Sequence, residues 1–231
     1  MTRGETMSKQ DYTSVFDIIG PVMTGPSSSH TAGAARIGKI AREVFGKTPE
    51  SVNVYLYESF AKTYRGHGTD VAIAGGILGM DADDDRLHES LLIAQAEGVD
   101  IKFIPLAEAV SHPNTAKLVM RSGHQKMTVI GASIGGGSVK IVNINDIDVD
   151  INGGIPTILI FHQDLPGLIA RVATILSDLE INISTMKVDR DTKGNNAYMV
   201  IELDQEELHT SLDAIREIPY IKSVIYIGRN L

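Results

Sequence analysis

Residues 25–38 read Gly-Pro-Ser-Ser-Ser-His-Thr-Ala-Gly-Ala-Ala-Arg-Ile-Gly, which puts four hydroxyls and an imidazole into the five positions Ser27, Ser28, Ser29, His30 and Thr31. Hydroxyls donate and accept hydrogen bonds without carrying charge, and an imidazole exchanges its proton near neutrality. The combination suits binding and proton transfer on a small polar molecule. A second group, Tyr64-Arg65-Gly66-His67-Gly68-Thr69-Asp70, places another histidine between two glycines. Those glycines remove neighbouring side chains and let the backbone approach a ligand closely.

Both groups stand immediately before helical patterns. Past Thr31, the apolar residues Ile37, Ile40, Ala41, Val44 and Phe45 recur at three- and four-residue spacing, one face of an α-helix. Ser29 or Thr31 then suits its N-cap, because a short hydroxyl side chain accepts from a free N–H of the first turn. Thr69 or Asp70 suits the same role for a helix predicted over 69–79. A helix start offers unpaired N–H groups and the positive end of the dipole, which favour a carboxylate or phosphate. Two such starts, each with a histidine, would cradle the carboxylate of a small zwitterion if the fold brings them together. No His-Glu-x-x-His or other paired spacing supports a zinc site on the two histidines.

The elements that must hold these groups follow from periodicity. A strand is predicted over 51–57, a second helix over 86–98 and a strand over 99–104. Short β segments follow at hairpin spacing over 117–121, 126–130, 139–143 and 147–151. The mixture is α+β. Gly131-Ala132-Ser133-Ile134-Gly135-Gly136-Gly137-Ser138 is neither a Walker loop nor a Gly-x-Gly-x-x-Gly fingerprint, and reads as a hairpin connection. The acidic run at 81–85 lacks the glycine and closing glutamate of an EF-hand loop and reads as solvated.

A glycine pair and a proline at 153–156 separate this region from a second pattern. There, strands are predicted over 157–162, 183–190, 196–203 and 221–227. A helix begins after Gln163-Asp164-Leu165-Pro166-Gly167, with Leu168, Ile169, Val172, Ile175, Leu176 and Leu179 on one face. Asp164 is the expected N-cap, with Pro166 in the first turn. A further helix is predicted over 205–217, and Asp191-Thr192-Lys193-Gly194-Asn195 is a hairpin turn. The order βαββαβ is ferredoxin-like.

Composition narrows the function. The 231 residues carry 29 acidic and 21 basic side chains, which gives no basic stripe and argues against nucleic-acid binding. No run approaches the ~20 consecutive apolar residues of a transmembrane helix. The N-terminal residues lack an apolar signal core, and Met7 offers an alternative start, so the chain reads as cytoplasmic. The Asn182-Ile183-Ser184 sequon is then idle. There is no cysteine, which excludes disulfides, thiol nucleophiles, thiolate-ligated zinc and the usual ligation of an iron–sulfur cluster by this chain.

The run at 26–38 closely resembles the β subunit of bacterial iron–sulfur L-serine dehydratases. The resemblance takes in Ser14-Val15-Phe16-Asp17-Ile18-Ile19-Gly20-Pro21 upstream and Gly66-His67-Gly68-Thr69-Asp70 downstream. The last strands and helices, with Asp164-Leu165-Pro166-Gly167, are similar to an ACT domain of the kind that family often carries. The resemblance implies a serine dehydratase β domain over 10–153 and a ferredoxin-like ACT domain over 156–231. It implies β-elimination of water from L-serine, giving aminoacrylate and then pyruvate and ammonia. It further implies a 4Fe–4S cluster acting as Lewis acid, in place of the electron sink that pyridoxal phosphate provides in other dehydratases. Without cysteine here, that cluster belongs to a cysteine-bearing α subunit, and this chain supplies the other wall of the active site. Ser27, Ser28, Ser29, Thr31, Gly66 and Thr69 would bind serine, His30 would orient it, and His67 is the candidate for proton transfer. The division between the histidines, and the identity of the base, stay open. Asp164, Leu165 and Gly167 would take an amino-acid effector, or the ACT domain would serve in dimerisation alone. The competing hypothesis is a sensor that binds serine without chemistry, like the regulatory half of some 3-phosphoglycerate dehydrogenases. A third is a structural scaffold.

Overall fold

Ile37, Ile40, Ala41, Val44 and Phe45 form the buried stripe of helix α1 (Gly33–Phe45), which Gly46 ends at φ +86. The computed structural model describes residues 22–190 and 195–229; the resembling stretch at 14–21, Met7 and most of the hairpin turn at 191–195 lie outside them. Helix α1 packs against α3 (Thr69–Leu78) at backbone contact. A Cβ on Gly76 would lie 2.0 Å from the Ala35 carbonyl oxygen, and one on Gly38 would lie 2.4 Å from that of Ile73. Small residues are therefore required on both helices.

Helix α1 lies on a six-stranded sheet of order β2-β1-β3-β4-β5-β6, with α3 packed on α1. Strand β1 (Ser51–Leu56) pairs in parallel with β2 (Asp100–Pro105) and antiparallel with β3 (Thr115–Ser122). Strands β4 (Gln125–Gly135), β5 (Ser138–Ile144) and β6 (Ile147–Asn152) continue as hairpins. Val52, Val54 and Leu56 alternate into the core, as a half-buried strand requires. Between β1 and β2 come α2 (Glu58–Thr63), α3 and α4 (Ser90–Ala96).

The second unit comprises β7 (Thr157–Gln163), α5 (Leu168–Asp178), β8 (Ile183–Arg190), β9 (Asn196–Leu203), α6 (Asp213–Arg216) and β10 (Ile221–Ile227). Its antiparallel sheet, ordered β10-β7-β9-β8, is ferredoxin-like. On one face Ile158, Ile160, Met199 and Ile201 form a core with Val172, Leu176 and Ile215. On the other, Leu159, Tyr198, Val200 and Ile227 join the core of the first unit, where β10 meets α1. Across the same seam the Tyr198 hydroxyl donates to the Asp148 carbonyl.

The structure is α+β with the expected strands, and it corrects several helices. Residues 205–217 are helical only over Asp213–Arg216. Between 205 and 212 only Leu208 and Leu212 anchor in the core, too narrow a stripe to stabilise a helix, since short helices depend on packing. The helix expected over 86–98 is a 3₁₀ turn, Leu87–Glu89, leading into the shorter α4. Helix α2 has no counterpart among the predicted elements. In the acidic run, Asp81 pairs with Lys39, and Asp84 with Arg86 at 2.7 Å.

Candidate functional site

The Ser-rich run opens as a π-helical turn, Ser28–Ala32, in which the Gly33 N–H donates to the Ser28 carbonyl. This turn begins two residues earlier than a Ser29 cap would place it, so Ser27, extended at φ −150 and ψ 127, takes the capping role. Its Oγ accepts from the His30 N–H at 3.3 Å. Ser29 and Thr31 are not the caps, and their hydroxyls are used elsewhere. Ser29 Oγ lies 3.0 Å from His30 Nδ1, and Thr31 Oγ1 donates to the His67 carbonyl at 3.3 Å.

At α3 the residue before the helix is Gly68, at φ +69, and no side chain caps it. Asp70 Oδ1 accepts from the adjacent Val71 N–H, while Thr69 is fully buried with its hydroxyl unpartnered. Neither is the expected cap, because a left-handed glycine turns the chain into the helix without a side-chain bond.

The fold does bring the two histidines together. Their ring centroids are 4.8 Å apart in an edge-on arrangement with an interplanar angle of 84°. The ring of His30 is fixed from several sides: Ser29 Oγ at Nδ1, Ser59 Oγ 3.0 Å from Nε2, and the Phe60 ring edge-on at 5.3 Å. Burial holds the His30 pKa below the ordinary histidine value, and the charge on His67 pushes it the same way. His67 itself is exposed, as are Gly25, Pro26, Arg65 and Gly66, whereas Ser27, Ser28, Ser29 and His30 are half-buried. The result is an open surface that carries two imidazoles and a row of serine hydroxyls. The cleft between the β5–β6 turn and the second sheet, lined by Asp148, Phe161 and Tyr198, includes none of these residues.

Ser59 and Phe60 were missed from sequence because a six-residue helix shows no periodicity. The signal present was a short segment, Glu58-Ser59-Phe60, between a clear strand and the Gly-His-Gly turn. The glycine-rich segment at 131–138 is structural. Gly135, Gly136 and Gly137 turn β4 into β5 at positive φ, and the Gly137 carbonyl accepts from the buried Arg36. Gly153 is likewise packed, since a Cβ there would meet Val139 Cγ2 at 2.4 Å.

At the second unit, Asp164 does not cap α5. Gly167 precedes the helix at φ +83 with no side-chain cap, and Pro166 lies before the first turn. Asp164 instead pairs with Arg190 at 2.7 Å. Nearby, His162 is buried, with Nδ1 2.8 Å from the Gln163 carbonyl.

No three His, Asp or Glu side chains converge to hold a metal ion among the described residues, and the sequence contains no cysteine. The donor set does not fit an iron–sulfur cluster in this chain. Among the described residues no helix is long and apolar enough to cross a membrane.

A β-chain fold with a hydroxyl-and-histidine site, followed by a ferredoxin-like unit, defines a class that comparison with known proteins makes specific. The family described as "Serine dehydratase beta chain" matches residues 14–96, and the ACT domain family matches 156–220. The chain is 48% identical over 217 residues to a probable L-serine dehydratase β chain of Bacillus subtilis, covering 94% of this chain and 99% of that protein. It is 37% identical to the L-serine dehydratase β chain of Peptoniphilus asaccharolyticus, covering 94% and 98%. A D-3-phosphoglycerate dehydrogenase of Methanocaldococcus jannaschii is 33% identical over 143 residues, 62% of this chain but 27% of that enzyme. The chain belongs to the serine dehydratase β-chain family and carries an ACT domain.

Proposed function

We propose that this chain is the β subunit of a two-chain L-serine ammonia-lyase, with a β domain over 10–153 and an ACT domain over 156–231. The observation that carries it is the pair of imidazoles at 4.8 Å on an open surface beside three half-buried serine hydroxyls. The 4Fe–4S cluster belongs to a cysteine-bearing α subunit, which supplies the Lewis acid and closes the site.

The chemistry required of this chain is set by the substrate. The Cα proton of serine is weakly acidic and its hydroxyl is a poor leaving group, so both ends need help. Ser27, Ser28, Ser29 and Gly66 bind and orient serine at the two helix starts, where its carboxylate finds N–H groups, and the buried Thr31 and Thr69 back those starts from inside. His30, pinned by two hydroxyls, is the orienting imidazole. The exposed ring of His67 is the proton-transfer group, taking the Cα proton as the Cβ–O bond breaks and passing it to the departing hydroxyl, which leaves as water. The aminoacrylate formed hydrolyses to pyruvate and ammonia. The ACT unit takes an amino-acid effector near Asp164, Leu165 and Gly167, and pairs subunits. The partial similarity to a D-3-phosphoglycerate dehydrogenase, 27% of that enzyme's length, is the observation on the side of a second hypothesis, a serine sensor without chemistry.

Mixing the purified chain with its cysteine-bearing partner under oxygen-free conditions separates the two. Pyruvate release on mixing, absent from either chain alone, is expected. Serine binding to this chain with no pyruvate in the assembled complex would favour the sensor.

A further inference from the structure

We propose that Ser59 is a positioning residue of this site, holding the Nε2 edge of His30 so that the ring keeps its perpendicular setting against His67. The proposal deepens the assignment of His30 above and rests on it. Ser59 comes from α2, an element outside both sequence motifs, and its Oγ reaches His30 Nε2 at 3.0 Å across 29 residues of sequence. That hydroxyl does not serve the helix it belongs to, since α2 has no side-chain cap.

The backbone around Ser59 is held with unusual care. Glu58, directly before it, sits at φ +39, in the sparsely populated left-handed region for a residue with a side chain. Three contacts with residues 110–115, the segment that leads into β3 and its first residue, keep it there. Val110 N–H donates to Glu58 Oε1 at 2.9 Å, Ser59 N–H to the Pro113 carbonyl at 2.9 Å, and Tyr57 N–H to the Thr115 carbonyl at 3.1 Å. Thr63 Oγ1 closes the turn on the Ser59 carbonyl at 2.8 Å. A kink sustained by this many bonds, at the residue before the one that grips a site imidazole, is a positioning device rather than an incidental turn.

The groups touching the His30 ring are Ser27 and Ser29 from its own turn, Ser59 and Phe60 from α2, and His67 from the turn before α3. Of these only His67 carries an ionisable side chain. When His30 is protonated both ring nitrogens donate, and Ser29 and Ser59 supply the two acceptors. A hydrogen bond to a charged donor is stronger than one to a neutral donor. Removing the Ser59 hydroxyl therefore disfavours the imidazolium and loosens the ring.

The test uses the full chain with ¹⁵N-labelled histidine, His30 being assigned by its loss in His30→Ala. Ser59→Ala is expected to lower the His30 titration midpoint, and Ser59→Thr, which keeps the hydroxyl, to restore it. In the complex reconstituted with the partner, Ser59→Ala should reduce kcat about 10-fold with KM little changed, a modest share of what acid–base help provides, and Ser59→Thr should recover most of it. An unchanged midpoint in Ser59→Ala, or a threonine variant as impaired as the alanine one, overturns the proposal. Should the alanine variant fail to fold, Ser59→Cys, a weak hydrogen-bond partner of similar size, takes its place with the same expectation. If the parent complex releases no pyruvate, the assignment of function fails, while the titration still decides the role of Ser59.

Discussion

Helices α3 and α5 begin in the same way and leave different chemistry at their starts. Each follows a glycine in the left-handed region, Gly68 at φ +69 and Gly167 at φ +83, and neither has a side-chain cap. Beside α3 the flanking histidine is exposed, edge-on to a second histidine, and a buried threonine hydroxyl lacks a partner. Beside α5 the flanking carboxylate, Asp164, is already paired with Arg190. One turn geometry thus supports two outcomes: a start where an exposed imidazole meets a second one, and a start whose charge is balanced within its own unit. The difference comes from packing around the turn. At α3 the neighbouring helix start reaches the turn through Thr31 Oγ1, which donates to the His67 carbonyl, whereas at α5 the partner is a side chain of β8.

The comparison breaks most decisively on activity. The isolated chain should release no pyruvate from serine and show no iron–sulfur absorbance, with activity appearing only on addition of a cysteine-bearing partner. Deamination by the chain alone would falsify the half-enzyme assignment.

Next in size are the histidines. His30→Ala and His67→Ala, each in the assembled enzyme, should lose on the order of 10²-fold or more in turnover. Far-ultraviolet circular dichroism and the denaturation midpoint should stay near parental values, since both lie in turns at helix starts. Parental rates in both variants would leave the sensor hypothesis standing.

Gly76→Ala sharpens the account of what joins the two helix starts. The added methyl would collide with the Ala35 carbonyl, which is backbone and has no rotamer to adopt. Overpacking of this kind costs about 1–3 kcal/mol, measurable by urea denaturation, and the shift between α1 and α3 should also slow turnover. A change confined to stability would show that the site tolerates more movement than its contacts suggest.

A smaller effect should appear with pH. Burial depresses the pKa of His30, with His67 adding to the effect, and burial depresses that of His112 as well. The unfolded chain then binds these protons more readily than the folded one. Stability is full above the ordinary histidine range and falls as the pH drops through it toward the folded values. Denaturation midpoints measured from pH 7.5 downward should decline, and less steeply in His30→Ala. The slightest change is expected at Asp164→Ala. Its ion pair with Arg190 is largely exposed, so the loss should stay below about 1 kcal/mol. Serine-concentration dependence should nonetheless change if this loop takes an effector, and kinetics identical to the parent would leave it as a turn.

Much of the architecture was legible locally. The apolar spacing of α1 and α5, the alternation of β1 and the βαββαβ order of the second unit all follow from periods of 3.6 and 2. Where periodicity is absent the sequence misled. Residues 205–212 have helix-forming side chains but little to pack, and α2 is too short to show a face. Capping was misplaced at Ser29, Thr31, Thr69 and Asp164 because a π-helical turn shifted one start and left-handed glycines replaced the side chains at the others.

The amino-acid sequence alone determined the chemical inventory: two histidines and a row of hydroxyls at predicted helix starts, and no thiolate to bind a cluster. Only the tertiary structure decided that His30 and His67 meet, that Ser59 grips the first of them, and that the second sheet shares its inner face with α1. Local pattern encodes which face of an element is apolar. The meeting of the histidine turns depends instead on how closely two helices approach, and that distance is set by Gly38 and Gly76 accepting the opposing backbone.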